Sequence, residues 1–280
     1  MDSPIVAAFI RSAAVPAFVA TVVFFLIGGL KDPWRARLQG LVLALAFMAG
    51  AYMLIPGLRF PPTSVSEAFS WAALLLAGFI FLNPKPLGPR YLVRALFVLG
   101  LGAVVLWPLK NTVLTAIHQR NLLAFFFLGL GVWSIVEKSA HKVRPATLIL
   151  LPLIAATALS LMMLFSASAS MSQLVTVACA LFGGLLLLAL FKPQRLALGA
   201  IVPFLSVFVI LMMAAGHFYL DINPWHMIYL CVPYLVLWIR DWLGFVPQKT
   251  VPEAIILGAV SAAPLAYFVY NAGVKAGPLY

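Results

Sequence analysis

Residues 173–226 read QLVTVACA LFGGLLLLAL FKPQRLALGA IVPFLSVFVI LMMAAGHFYL DINPWH. Two apolar runs, 173–191 and 197–216, are divided by the break Lys192-Pro193-Gln194-Arg195, and the second run ends in a turn with Asp221 and Asn223 between two histidines. A helix that crosses a bilayer needs roughly 17–25 mostly apolar residues at about 1.5 Å rise each, and both runs meet that requirement. Proline in the break stops a helix, and its Lys and Arg suit the lipid headgroups. The stretch therefore reads as a helical hairpin through a membrane.

The same unit recurs in both directions along the chain. Apolar runs at 12–30, 38–57, 66–82, 92–109, 122–136, 146–165, 173–191, 197–216, 225–239 and 251–270 give ten expected spans. Of 280 residues 64% are hydrophobic and 9% charged, against about 25% charged in soluble domains, and the mean hydropathy is +1.10. The expected fold class is all-α: one polytopic membrane domain over 1–280, with no extramembrane domain. The third, fifth and ninth runs are short, so they must recruit flanking residues, stand upright, or stop short of one face. Asp2 and the lack of a basic cluster before the first run predict a first span rather than a cleaved signal peptide. Cys179 and Cys231 lie within apolar runs without CxxC spacing, which predicts buried thiols rather than a disulfide framework or redox motif.

A net charge of +11 would point to nucleic acid in a soluble protein, but in a polytopic one it first reports orientation. Thirteen of the eighteen Lys and Arg follow odd-numbered spans: Lys31, Arg35, Arg37, Lys85, Arg90, Arg94, Lys138, Lys142, Arg144, Lys192, Arg195, Arg240 and Lys249. Arg11, Arg59, Lys110, Arg120 and Lys275 remain for the other side. The split predicts a cell (inner, cytoplasmic) membrane protein with both termini non-cytoplasmic, the lipid bilayer as its main partner and no nucleic acid.

The sequence carries no GxxxxGK[ST], GxGxxG after a strand, HExxH or EF-hand loop, so nucleotide-driven and zincin-type chemistry find no motif. Ten spans can be halved at 1–140 and 141–280 into an inverted 5+5 repeat, with Pro16 and Pro152 in corresponding positions. Pro203, Pro233 and Pro264 are expected to kink their spans. The pairs Gly100/Gly102, Gly129/Gly131 and Gly183/Gly184 read as close helix packing. None of the seven acidic residues falls at a midplane, which argues against a carboxylate proton relay.

Two polar constellations remain. In the turn after the eighth run, His217, Asp221 and His226 reach one membrane face, where they would suit a metal ion or a quinone headgroup, or else cap helices. His118 is expected on the same face. Residues 110–121 read as a short interfacial amphipathic helix, in which Lys110 and Arg120, with Arg59, offer an anion or headgroup contact. No catalytic residue stands out, and no cofactor is required. The expected function is a permease-like transporter of a small or amphipathic solute. The alternative is a membrane-embedded subunit of a quinone-linked or other multiprotein complex, with partner subunits in the membrane. An enzyme acting on lipid-linked substrates ranks last, because neither paired carboxylates nor a nucleophile arrangement is evident.

Overall fold

The computed structural model describes residues 10–82, 91–109, 116–166, 168–240 and 250–276. Among them the secondary structure is helical: α1 (Ile10–Ile27), α2 (Trp34–Leu54), α3 (Val65–Leu82), α4 (Leu92–Leu109), α5 (Ala116–Ala140), α6 (Pro145–Phe165), α7 (Ala169–Phe191), α8 (Leu198–Leu220), α9 (Pro224–Ile239) and α10 (Thr250–Ala276). Nine are long and apolar enough to cross a membrane. The protein is an all-α multi-pass membrane protein.

The ninth expected span differs from the rest. It consists of a 6-residue helix, Pro224–Tyr229, and an 8-residue helix, Val232–Ile239, joined through Leu230 and Cys231. Pro233 lies in the first turn of the second piece, where its missing N–H costs nothing, whereas in mid-helix it would remove a hydrogen bond and clash with the preceding turn. The chain therefore restarts a helix instead of kinking one. Residues 116–121, expected within a separate interfacial helix, are the opening turns of α5; residues 110–115 lie outside the described residues.

Helix α8 occupies the centre, against α2, α3, α4, α5 and α6. Of its most apolar stretch 89% is buried, against 28% for α4, which lies at the lipid-facing edge. Phe208 anchors α8 between Phe47 of α2 and Phe69 of α3, with edge-on ring centroids 4.8 and 5.6 Å away, a favourable aromatic geometry. Just after Pro203, α8 widens into a π-helical segment, Phe204–Phe208, before returning to α-helix at Val209. Tyr234 of α9 donates its hydroxyl to the Leu205 carbonyl there at 2.7 Å, meeting a backbone acceptor that lipid cannot satisfy.

Around this centre, α6 pairs with α7 and α10, and α2 pairs with α3 and packs on α1 and α7. The α6–α7 seam is knit by hydroxyls: Ser160 lies 3.0 Å from Ser172 Oγ and 2.9 Å from Thr176 Oγ1, the polar cross-linking that holds helices together where lipid offers no hydrophobic drive. At the basic face, the buried Gln39 amide donates to the Arg195 carbonyl and accepts from the Ala197 N–H, both at 2.7 Å. That clamp fixes the α7–α8 turn to α2. At the opposite face α3 opens with a capping box, in which the Glu67 N–H donates to Ser64 Oγ at 3.3 Å and the Ser64 N–H donates to the Glu67 carboxylate at 3.2 Å.

Candidate functional site

The histidine turn is built by helix-ending chemistry. Asp221 takes a left-handed conformation, φ 53° and ψ 29°, and its N–H caps α8 on the Gly216 carbonyl. Asp tolerates this backbone better than most residues. Asn223 then N-caps α9, its side-chain oxygen accepting from the Trp225 N–H at 2.9 Å, and Pro224 opens the helix. Asp221 and Asn223 thus end one helix and start the next.

His217 is buried at 5% exposure. Its Nδ1 lies 2.7 Å from the Ile222 carbonyl, which only accepts, so Nδ1 carries the proton. Nε2 is then the acceptor for the Asn121 amide of α5 at 2.9 Å. The ring stacks on Phe125 with centroids 5.8 Å apart. His226 faces another way, edge-on to Phe268 of α10 at 5.1 Å. The turn thus points its two imidazoles at different helices, and among the described residues no group of three or more His, Cys, Asp or Glu is placed to hold a metal ion.

The other expected contacts are dispersed. Arg120 is exposed on the first turns of α5, and Arg59 is exposed between α2 and α3, where its carbonyl accepts from Trp71 Nε1 at 2.8 Å. His118 lies in α5 with its side chain outside the described residues, and Lys110 lies outside them altogether.

Beside His217 the structure contains a feature that the sequence reading missed. A chamber of about 430 Å³ opens between α4, α5 and α8, within the roughly 300–1,000 Å³ range of ligand pockets. Its walls are apolar: Val98, Gly102, Val105 and Leu106 from α4; Leu122, Phe125 and Gly129 from α5; Val207, Ile210, Ala214 and Phe218 from α8. Phe125 and Phe218 also touch the His217 ring, so the His217–Asn121 pair adjoins one end of the chamber. Tyr219 donates to the Val105 carbonyl at 2.9 Å, tying α8 to α4 at that end. Trp107, 42% exposed, also lines the chamber.

The glycines form part of this space. A Cβ on Gly102 would have no heavy atom within 4 Å, and one on Gly129 would make only ordinary contacts with Val98 and Ile210, at 3.5 and 3.7 Å. These two glycines hollow the bundle, which corrects their reading as close-packing residues. Gly184 keeps the expected role, since a Cβ there would collide with Thr21 of α1. Spacing alone does not separate the cases, because both kinds of glycine sit in apolar helices. Comparisons with protein-family models, curated proteins and solved structures found no match for this chain.

Proposed function

We propose that this protein is a carrier of an amphipathic solute, whose apolar portion occupies the α4–α5–α8 chamber while its polar end meets the face that bears His217, Asn121 and Arg120. The observation that carries this reading is the chamber itself, sized for a ligand and lined by apolar side chains. Lipid tails are as apolar as these walls, so apolar contact alone does not select an occupant. Selection then falls to the polar groups at the chamber's end and to its shape.

The position of the π segment supports movement. Val207, within Phe204–Phe208, is both a chamber wall and part of the stretch where the regular helical ladder is interrupted. π-bulges recur at functional sites and at helix kinks. In this reading the bend falls in α8, which is central and interrupted at the depth of the chamber. The quinone-linked alternative draws on the same arrangement, with an isoprenoid tail in the chamber and a headgroup carbonyl beside Asn121.

Reconstitution into liposomes tests the carrier reading. Transbilayer movement of a fluorescent single-chain amphiphile is expected to be accelerated by the native protein. In Gly102→Phe, whose ring enters open space, that acceleration should fall by about tenfold or more, as for loss of a well-filled pocket contact. Unchanged movement in the filled variant would overturn the proposal. A quinone absorbance retained through purification, together with companion subunits, would favour the alternative.

A further inference from the structure

Among the described residues, the lining of the α4–α5–α8 chamber holds no charged, amide or hydroxyl side chain. A solute arriving from water would shed its hydrogen bonds there and find no replacement. The chamber also lies within one half of the membrane. At about 1.5 Å rise per residue its α4 lining, residues 98–107, covers about 14 Å, against about 30 Å for a hydrocarbon core. That lining is the part of α4 nearer the His217 turn, as is the lining of α5 within 122–129.

The deep end is closed. Val98 and Ile210 stand 3.5 and 3.7 Å from where a Cβ on Gly129 would lie, so the three helices meet at that depth, and beyond it Glu137 of α5 pairs with Arg94 of α4. One side is open instead. Leu99, Ala103 and Trp107 recur at i, i+4 and i+8, a single stripe along α4, and each both lines the chamber and is exposed. Lining the chamber does not by itself expose a residue, since Val207, Ile210 and Ala214 of α8 line it and are buried. The stripe thus has lipid on its outer side and marks a slit between chamber and membrane. Helix α3 holds α4 on a different face, through the stacked rings of Phe79 and Phe97 with centroids 4.3 Å apart.

We infer that the chamber is a one-leaflet lipid slot: one hydrocarbon chain of a bilayer lipid, from the leaflet on the side of the His217 turn, enters sideways past Leu99, Ala103 and Trp107 and lies against α8. The inference rests on the carrier reading and narrows the solute to a membrane lipid. An empty space of this size forfeits dispersion contacts along all its walls, and a chain from the adjoining leaflet restores them without crossing water. The slit lets the second chain of the lipid stay in the leaflet and the headgroup stay at the membrane face, so the chamber need not enclose the whole molecule. Gly102 and Gly129 leave room for the chain that does enter.

The test places the full chain in nanodiscs of phosphatidylcholine that carries a photoreactive diazirine on one acyl chain, either close to the headgroup or at the tip, and locates adducts by peptide mass spectrometry. Adducts on Val207, Ile210 and Ala214 are decisive, because these residues are buried from the surrounding lipid. The tip label is expected on Val207 and Ile210, and the label close to the headgroup on Ala214 and Phe218. The reverse order would mean entry from the basic face and would overturn the assigned leaflet. Two variants are expected to lose the α8 adducts: Gly102→Phe, which fills the chamber, and Ala103→Trp, which blocks the slit from its exposed rim. Adducts on the exposed Phe18 and Leu26 of α1 should persist in both and report a folded, lipid-embedded chain. Absence of α8 adducts in the native protein, as when a protein helix fills the slot, or their retention in both variants, overturns the inference. The two readings fail separately: α8 adducts without amphiphile movement in liposomes keep the slot and remove the carrier, and movement without α8 adducts does the opposite.

Discussion

Helix α5 is built on opposite principles at its two ends. Near Ala116 it contributes Leu122, Phe125 and Gly129 to an apolar chamber, where space is left between helices. Near Ala140 it contributes Glu137, which is joined by both carboxylate oxygens to the guanidinium of buried Arg94 in α4, one contact being 2.8 Å. That guanidinium also lies 5.2 Å from the Trp133 ring centroid. The same two helices are therefore pinned at the basic face and held apart at the other.

Three substitutions would break or sharpen that contrast. The largest effect is expected from Glu137→Ala, which strands the buried Arg94 without its carboxylate and should cost about 3–5 kcal/mol. Size-exclusion profiles and thermal midpoints in detergent would report it, and a midpoint within a degree of the native value would show that the pin is not structural. Next is Asn121→Leu, which leaves His217 Nε2 without its donor and should cost about 1–2 kcal/mol, with faster amide exchange through Ile222. An unchanged exchange pattern there would show that the Asn121 contact does not hold the turn. The smallest effect belongs to Gly102→Ala, which adds a methyl to open space and gains about 0.5–1 kcal/mol in helix propensity. A clear loss of stability would mean that the chamber is closed in solution.

The bundle could be read from the chain because membrane helices announce themselves by composition and length. The shortness of the ninth run was evident at 225–239, but Pro233 read as a kink within one helix and not as the first turn of a second one. The polar turn was also legible, since Asp221, Asn223 and Pro224 are local signals of one helix ending and another starting. Its partners were not: Asn121 lies 96 residues from His217, and Glu137 lies 43 from Arg94, so each pairing depends on which helix faces meet. The chamber left still less trace. Its walls are ordinary membrane residues, and a cavity is a property of surfaces that fail to touch, which no periodicity records.

The central place of α8 has a consequence for how the molecule is made. The ribosome releases helices in order, and the one that fills the middle comes eighth. Until then the faces of α2, α3, α4, α5 and α6 that end against α8 lack that partner. Residues such as Phe47 and Phe69, which end against Phe208, must wait for their neighbour. Closure is therefore late: the faces left by the earlier helices are covered only when the eighth arrives.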